Sequence, residues 1–478
     1  MITDIFLTAL YRLSTLESLG IILALALSTI FGRIAVSAYK NRDLAKLPLV
    51  NGKKWWQLTS KEQRTRFCTQ AKYIIDDAFV NEFHINIDGF KPWREGRNLG
   101  IFQHAVQVNL TQDISALNIP LSEEAAHALE KHLPNDTEWH EIPVKVVAFK
   151  IISQMSSRVF LGEELCRNED WLQVTVDYTR DAIIAAQELR LWPKLLRPFA
   201  FRYANPRCKA IQEQLKKSED LINPILEKRR RETEGRKNAG LKPIRHYDAM
   251  QWMDDAANGR KYEAGAAQIM MAIAANFTGS DMLTGTLICI SQEPELVEDM
   301  RKEIITVMNE CQWNKSTLYK LRLMDSVLKE TQRIKPAAIA VMRRKAVEDT
   351  QLPDGTRIPK GTNMMVSTHK SWDSNTYENP EKFDGYRFLR KRNNEKLETA
   401  QFVSTTPESL GFGLGKFACP GRFFAANELK IVLSHIIMKY DIKLVPDTTT
   451  GTQFYSLFSM GNDNAKILFR RRQEEVAL

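Results

Sequence analysis

Along most of this chain of 478 residues, apolar positions recur three and four apart, the period of helices laid against a core. Segments 123–132 and 144–159 read as such helices, and 171–191 and 209–231 as two more. Segment 262–289 is different. It contains no lysine or arginine, yet Gln268, Asn276, Thr278, Ser280, Asp281 and Thr284 interrupt it. That polar content favours a helix through the middle of a protein over a membrane span. Segments 294–309 and 318–334 are amphipathic. Turns at Asp354-Gly355 and Pro359-Lys360-Gly361 then announce a change of period. A strand over 362–368, a helix over 423–440 and strands over 442–445 and 465–469 follow. The pattern predicts a mainly α fold with a small β region towards the C-terminus. One connection stands out: the linker Trp192-Pro193-Lys194-Leu195-Leu196-Arg197-Pro198-Phe199 is too apolar for an ordinary loop. Two readings remain open for it, a buried connection or a patch that dips into a membrane.

The amino-terminal stretch adds a second topological element. Residues 19–32 carry no charge, and the apolar run continues to 39 with only Arg33 inside it. That is close to the roughly 20 residues a helix needs to span hydrocarbon. Arg33 lies near one end, where it can snorkel to the interface. Lys40, Arg42, Lys46, Lys53 and Lys54 follow, against Arg12 before it, so the positive-inside rule puts the remainder in the cytosol. Asp4 and Glu17 spoil the basic start of a cleaved signal peptide. The expectation is an anchor over residues 1–40, a stiff hinge at Leu47-Pro48-Leu49 and a globular domain over 41–478.

Charge narrows the choice of partner. Lys and Arg number 67 against 58 Asp and Glu, a formal net charge of +9. No zinc-finger spacing, RNA-binding signature or basic zipper is present, so nucleic acid is an improbable partner. The densest run, Lys228-Arg229-Arg230-Arg231 with Arg236, Lys237, Lys242 and Arg245 beyond, reads as a solvated helix end or as a docking face for a membrane or an acidic protein. Cys68, Cys166, Cys208, Cys289, Cys311 and Cys419 include no C-x-x-C pair. Such thin usage suits a reducing compartment, where the sequons at Asn109, Asn135, Asn276 and Asn314 are incidental.

The most informative segment is Phe412-Gly413-Leu414-Gly415-Lys416-Phe417-Ala418-Cys419-Pro420-Gly421-Arg422-Phe423-Phe424-Ala425. Three glycines crowd one cysteine, which lets backbone approach a bulky flat ligand and aim amide hydrogens at the sulfur. Pro420 suits the start of a helix. Cys419 then sits at a helix N-terminus, where the dipole favours a thiolate. A buried structural cysteine is the bland alternative, and Phe-Gly-x-Gly-x-x-x-Cys-x-Gly is far too specific for it.

This loop resembles the haem-binding signature of the cytochrome P450 family, and the likeness runs from about Tyr262 to the end. The chain most resembles the membrane-bound monooxygenases of fungal secondary metabolism. The resemblance implies the cytochrome P450 fold and haem b, with Cys419 as the metal ligand. Phe412, Gly413, Gly415, Lys416 and Gly421 would form the cofactor-binding loop. A thiolate ligand pushes electron density towards bound dioxygen and favours O–O cleavage. Glu330 and Arg333, at i and i+3 on one helix face, resemble the family's buried pair, with Arg387 as third member and a structural role. Ala274-Ala275-Asn276-Phe277-Thr278 resembles the oxygen-binding stretch, with Thr278 as the catalytic proton relay.

Two departures matter. Phe277 stands where many family members carry an acid, leaving Asn276, Asp281, water or substrate as proton sources. Phe417 stands where an Arg or His commonly reaches a haem propionate. Lys416 and Arg344 are the main substitutes, His104 and His369 weaker ones. By position in the fold, Ala274, Phe277, Ala337, Phe454 and Phe458 are expected to wall the substrate pocket. No Rossmann fingerprint or flavin-type domain is present, so electrons must arrive from NADPH through a separate reductase, NADPH-cytochrome P450 reductase. The expected activity is oxidation of a lipophilic metabolite, terpenoid or indole-derived, at the endoplasmic reticulum membrane. The alternatives are the same haem chemistry diverted to ring closure, desaturation or coupling, and a haem or lipid-binding protein without activity.

Overall fold

A computed structural model describes residues 73–74, 83–96, 100–311, 313–352, 355–395, 397–455, 458–476 and 478. The expected anchor and hinge lie outside these residues. Among the described residues no helix is long and apolar enough to cross a membrane. The chain divides into two compact units. One comprises residues 1–67 and 348–360, and its described part is the hairpin Thr350–Gln351 with Arg357–Ile358. The other, residues 68–347 and 361–478, contains everything discussed below.

Helices dominate this second unit, as the pattern of apolar positions predicts. Its axis is the helix Ala264–Ile290, most of whose residues are buried. The helices Val144–Leu165, Pro206–Asn238 and Lys91–Gly96 pack directly against it. A large buried apolar core runs through them, including Trp171, Tyr178, Phe160, Leu121 and Met155. The cysteine loop leads into the helix Arg422–Lys439, which is almost wholly buried. Two small antiparallel sheets flank the helices. One joins Tyr73–Ile74, Ala340–Ala346 and Asn363–Ser367, and the other joins His140–Pro143, Lys466–Arg471 and Tyr440–Leu444. A hairpin of Gln453–Tyr455 with Phe458–Met460 completes the β part.

Differences from the sequence reading have local causes. Segment 318–334 is two helices, Lys315–Lys320 and Arg322–Ile334. Asn314 caps the first with a reciprocal capping box, and Leu321 leaves helical geometry between them (φ −70°, ψ 72°). Segment 209–231 extends to Pro206–Asn238, started by the Asn205 side chain on the Arg207 amide. The apolar linker is not a buried connection. Leu195 is 95% exposed and Leu191 86%, with Phe199 and Tyr203 also out and their rings 5.0 Å apart.

Candidate active site at the cysteine loop

The loop around Cys419 closes on itself through its own backbone. The Cys419 amide donates to the Phe412 carbonyl at 2.7 Å, Gly413 N to Leu410 O at 2.9 Å, and Ala418 N to Gly415 O at 3.0 Å. Gly413 and Gly415 both sit at φ +73°, in the left-handed region that a side chain disfavours. Phe412 anchors the start, edge-on to buried Phe402 with centroids 5.0 Å apart. Gly421 is the N-cap of the helix Arg422–Lys439, and the amides of Gly421 and Arg422 point at the Cys419 sulfur. Arg422 also donates to the Cys419 carbonyl at 2.8 Å. The helix N-terminus alone would lower the thiol pKa. Here burial raises it, and the Gly421 amide, the Arg422 charge and the Arg422 amide pull the other way. Without a metal, burial favours the neutral thiol; a coordinated metal would deprotonate it outright.

The helix Arg322–Ile334 stiffens the approach to this loop. Glu330 is fully buried and accepts from Arg333 at 2.7 and 2.8 Å. It also accepts from Arg387 Nε at 3.1 Å to each oxygen, and from the Asp384 amide at 3.2 Å. The guanidinium groups spend their remaining hydrogens on carbonyls of Ser371, Pro380 and Glu378, so the triad is densely satisfied despite its burial. These partners lie in segment 371–387. The chain leading into the cysteine loop, residues 399–411, is held by neighbours that the sequence reading missed. Lys329 donates to the carbonyls of Thr399, Gln401 and Ser404, and burial pulls its pKa down to about 8. The Gln332 side chain covers Gly411 so closely that a Cβ there would meet it at 2.1 Å.

The strand Ala340–Ala346 meets the loop from another direction. Its pairing register breaks between Val341 and Arg344, and Met342 adopts φ +57° there. The Met342 sulfur lies 3.4 Å from where a Cβ on Gly413 would stand. Arg344 is buried, donates to the Arg343 carbonyl at 2.8 Å and lies 4.9 Å from the Phe417 ring centroid. The two residues singled out separately, Phe417 and Arg344, are thus one stacked pair. Lys416 lies in the 3₁₀ turn Gly415–Phe417. His104 and His369 are exposed.

On the central helix, Ala274 and Thr278 are accessible although their helix is otherwise mostly buried. They are four residues apart and so share a face. Thr278 Oγ1 donates to the Ala274 carbonyl at 2.9 Å. Phe277 is half-buried beside them. Asn276 faces away and is buried, and both polar atoms of its side chain lack a partner among the described residues. Asp281 accepts from the Gly461 amide at 2.6 Å, and burial raises its pKa. On the far side, Gly279 lies beside Glu428, a fully buried carboxyl whose Oε1 accepts from Ser156 at 2.7 Å. Burial pushes the Glu428 pKa up to about 8. Ala337 is exposed, and its carbonyl accepts from the Ser459 amide at 3.0 Å, which ties in the hairpin carrying Phe454 and Phe458.

These residues fit a thiolate-ligated haem. One sulfur, ringed by backbone amides at a helix N-terminus, is held by left-handed glycines in a loop with an aromatic-backed arginine beside it. Elsewhere in the same unit, Ala274 and Thr278 are left accessible on a helix that is otherwise mostly buried. Among the described residues no cluster of three or more His, Cys, Asp or Glu is arranged to hold a metal.

The model of the family described as Cytochrome P450 matches residues 59–469. The chain is 45% identical over 404 residues to "Cytochrome P450 monooxygenase adrA" of Penicillium rubens, covering 84% of this chain and 79% of that protein. It is 36% identical over 515 residues to "Cytochrome P450 monooxygenase calE" of Penicillium decumbens, covering 98% and 99%. Among solved structures, "Retinoic acid bound cyanobacterial CYP120A1" superposes with a TM-score of 0.61 at 17% identity, covering 86% of this chain and 87% of that one.

Proposed function

The chain belongs to the cytochrome P450 family of oxidoreductases, akin to monooxygenases of fungal secondary metabolism, and on that premise we propose that it oxidises a lipophilic secondary metabolite of terpenoid or indole origin, using electrons that NADPH-cytochrome P450 reductase delivers. The observation that carries this reading is Cys419, alone at a helix N-terminus with the Gly421 and Arg422 amides aimed at its sulfur. When bound, haem b supplies the activation of dioxygen and the oxidising power. The protein's part is to hold and to shape. Cys419 provides the sulfur ligand, and the glycine turns keep it at one depth. Arg344, backed by the Phe417 ring, provides a cation for a propionate. Thr278 Oγ1, already paired with the Ala274 carbonyl, receives a proton from water and passes it on at the accessible stripe.

Phe277, in place of an acid, supports a second reading, in which the same site abstracts hydrogen but closes a ring or desaturates without adding oxygen. Incubating the purified protein with the reductase, NADPH, isotopically labelled dioxygen and a panel of terpenoid and indole metabolites separates the two. One labelled oxygen per product supports monooxygenation. Loss of two hydrogens without label supports the second reading. No product and no carbon monoxide complex absorbing near the position of thiolate haems sinks both.

The proposed location is the endoplasmic reticulum membrane, with residues 1–40 as a single anchor and the domain 41–478 in the cytosol. Support comes from the uncharged run 19–32 and its basic flank. The exposed Leu191, Leu195, Phe199 and Tyr203 beside Lys194, Arg197 and Arg202 add an apolar and basic patch suited to an anionic bilayer surface. Flotation with phosphatidylserine vesicles tests this: a chain lacking residues 1–40 should still associate weakly, and replacing Leu195 and Phe199 by Ser should abolish that.

A further inference from the structure

The end of the hairpin Gln453–Tyr455/Phe458–Met460 is bolted to the molecule at three points. The Ser459 amide donates to the Ala337 carbonyl at 3.0 Å. The Gly461 carbonyl accepts from Lys145 Nζ at 2.9 Å, and Lys145 also pairs with Asp463 at 2.6 Å. The Gly461 amide donates to Asp281 Oδ1 at 2.6 Å, a charge-assisted bond in a mostly buried place. The approach is close: a Cβ on Gly461 would stand 3.2 Å from Thr284 Cγ2 and 3.5 Å from Asp281 Oδ1. Asp281 lies seven residues beyond Ala274 and three beyond Thr278. On a helix of 3.6 residues per turn it therefore continues the one accessible stripe of the central helix.

We propose that Asp281 is a specificity-setting positioning residue, a latch that fixes the hairpin at the end of the accessible stripe and so decides which part of a bulky substrate is presented there. The inference rests on the monooxygenase reading, because it treats the stripe as the reacting edge of the substrate site. Its physical basis is that the hairpin is a two-stranded ribbon of three residues a side, too small to hold its own place. The Lys145, Asp463 and Lys335 charges are the ionic groups that act on the Asp281 carboxylate, the two lysines favouring its charged form and Asp463 opposing it. An amide in place of the carboxylate still offers an oxygen to the Gly461 N–H, whereas a methyl group offers none. That difference makes the latch testable apart from any change of charge.

The test compares D281A, D281N and G461A with the wild-type full-length chain. Hydrogen exchange of segment 453–461 needs neither haem nor substrate. It should rise at least about tenfold in D281A and in G461A, and stay within about twofold of wild type in D281N. On the haem-loaded protein, clotrimazole serves as a bulky probe of the site and imidazole as a small one. D281A and G461A should shift the clotrimazole dissociation constant by about fivefold or more and leave that of imidazole within about twofold, with D281N rescuing. Unchanged exchange in D281A overturns the latch. So does equal damage in D281A and D281N, which would mean that the charge and not the bond matters. A D281A protein that loses thermal stability while both azoles bind as before overturns the specificity role. If the wild-type chain holds no thiolate-ligated haem, the monooxygenase reading itself fails, and the exchange experiment still decides whether the latch exists.

Discussion

The cysteine side of the site and the central-helix side are built on opposite principles. Along the helix Arg322–Ile334, which leads to the cysteine loop, the buried charges Glu330 and Lys329 are densely bonded. Glu330 takes two arginines and an amide, and Lys329 takes three carbonyls. Along the central helix the stripe of Ala274 and Thr278 is left accessible, and Asn276 and Glu428 behind it are under-bonded or protonated. One side fixes a single sulfur at a single depth. The other keeps space and exchangeable protons. A site that must hold one cofactor yet turn over a varied substrate edge gains from that division, because rigidity is placed where geometry is fixed and slack where water and substrate must move.

If the division is real, damage to the saturated side should cost the fold, and damage to the accessible stripe itself should cost only chemistry. The largest expected effect is Glu330→Ala. It strands Arg333 and Arg387 in the interior and should cost about 3–5 kcal/mol, read as a steep fall in thermal stability and haem content. Thr278→Ala should sharpen the contrast: normal stability and a normal thiolate spectrum, with product formed per NADPH consumed down by about a hundredfold. An unstable T278A protein would break the comparison.

Glu428→Gln gives a smaller and pH-dependent effect. The folded protein keeps this carboxyl protonated up to about pH 8, while the unfolded chain releases the proton near its ordinary value of 4.5. The folded state therefore binds more protons between those limits, and this group's stabilisation is fullest below 4.5 and declines as pH rises towards 8. E428Q should flatten that decline in a denaturant titration run across the range. Smallest of all, Phe417→Ala removes the ring behind Arg344 and should cost about 0.5–1 kcal/mol in thermal or denaturant unfolding, with the fold intact.

Legibility in the sequence followed the range of the interaction. The cysteine loop was readable because its glycines, cysteine and helix start are contiguous, and turn chemistry is local. Glu330 and Arg333 were readable because they are one helical turn apart, and Arg387 through the family likeness alone. Helix centres were readable from period, and their ends moved by a few residues where caps such as Asn205 intervene. The contacts that tie the site together were not legible. Glu428 to Ser156, Asp281 to Gly461, Lys145 to the Gly461 carbonyl and Met342 to Gly413 all join residues far apart in the chain, and no spacing rule encodes them. What the triad holds was not legible for the same reason. Its charge pattern was local, but the carbonyls it holds belong to segment 371–387, and Lys329 and Gln332 reach the cysteine loop approach instead. The apolar linker stayed open between two readings, since apolar content fits a buried segment and a surface patch equally well, and its exposure removes only the first.

The central claim is that one sulfur, Cys419, carries the cofactor. The most direct measurement is the carbon monoxide difference spectrum of the reduced, purified protein beside that of C419H, which keeps an iron ligand but removes the sulfur. The account predicts a red-shifted Soret band for the wild type, the signature of a thiolate opposite carbon monoxide, and its loss in C419H with the bound haem absorbing at the shorter wavelength of nitrogen-ligated iron. An identical spectrum from the two proteins would contradict it.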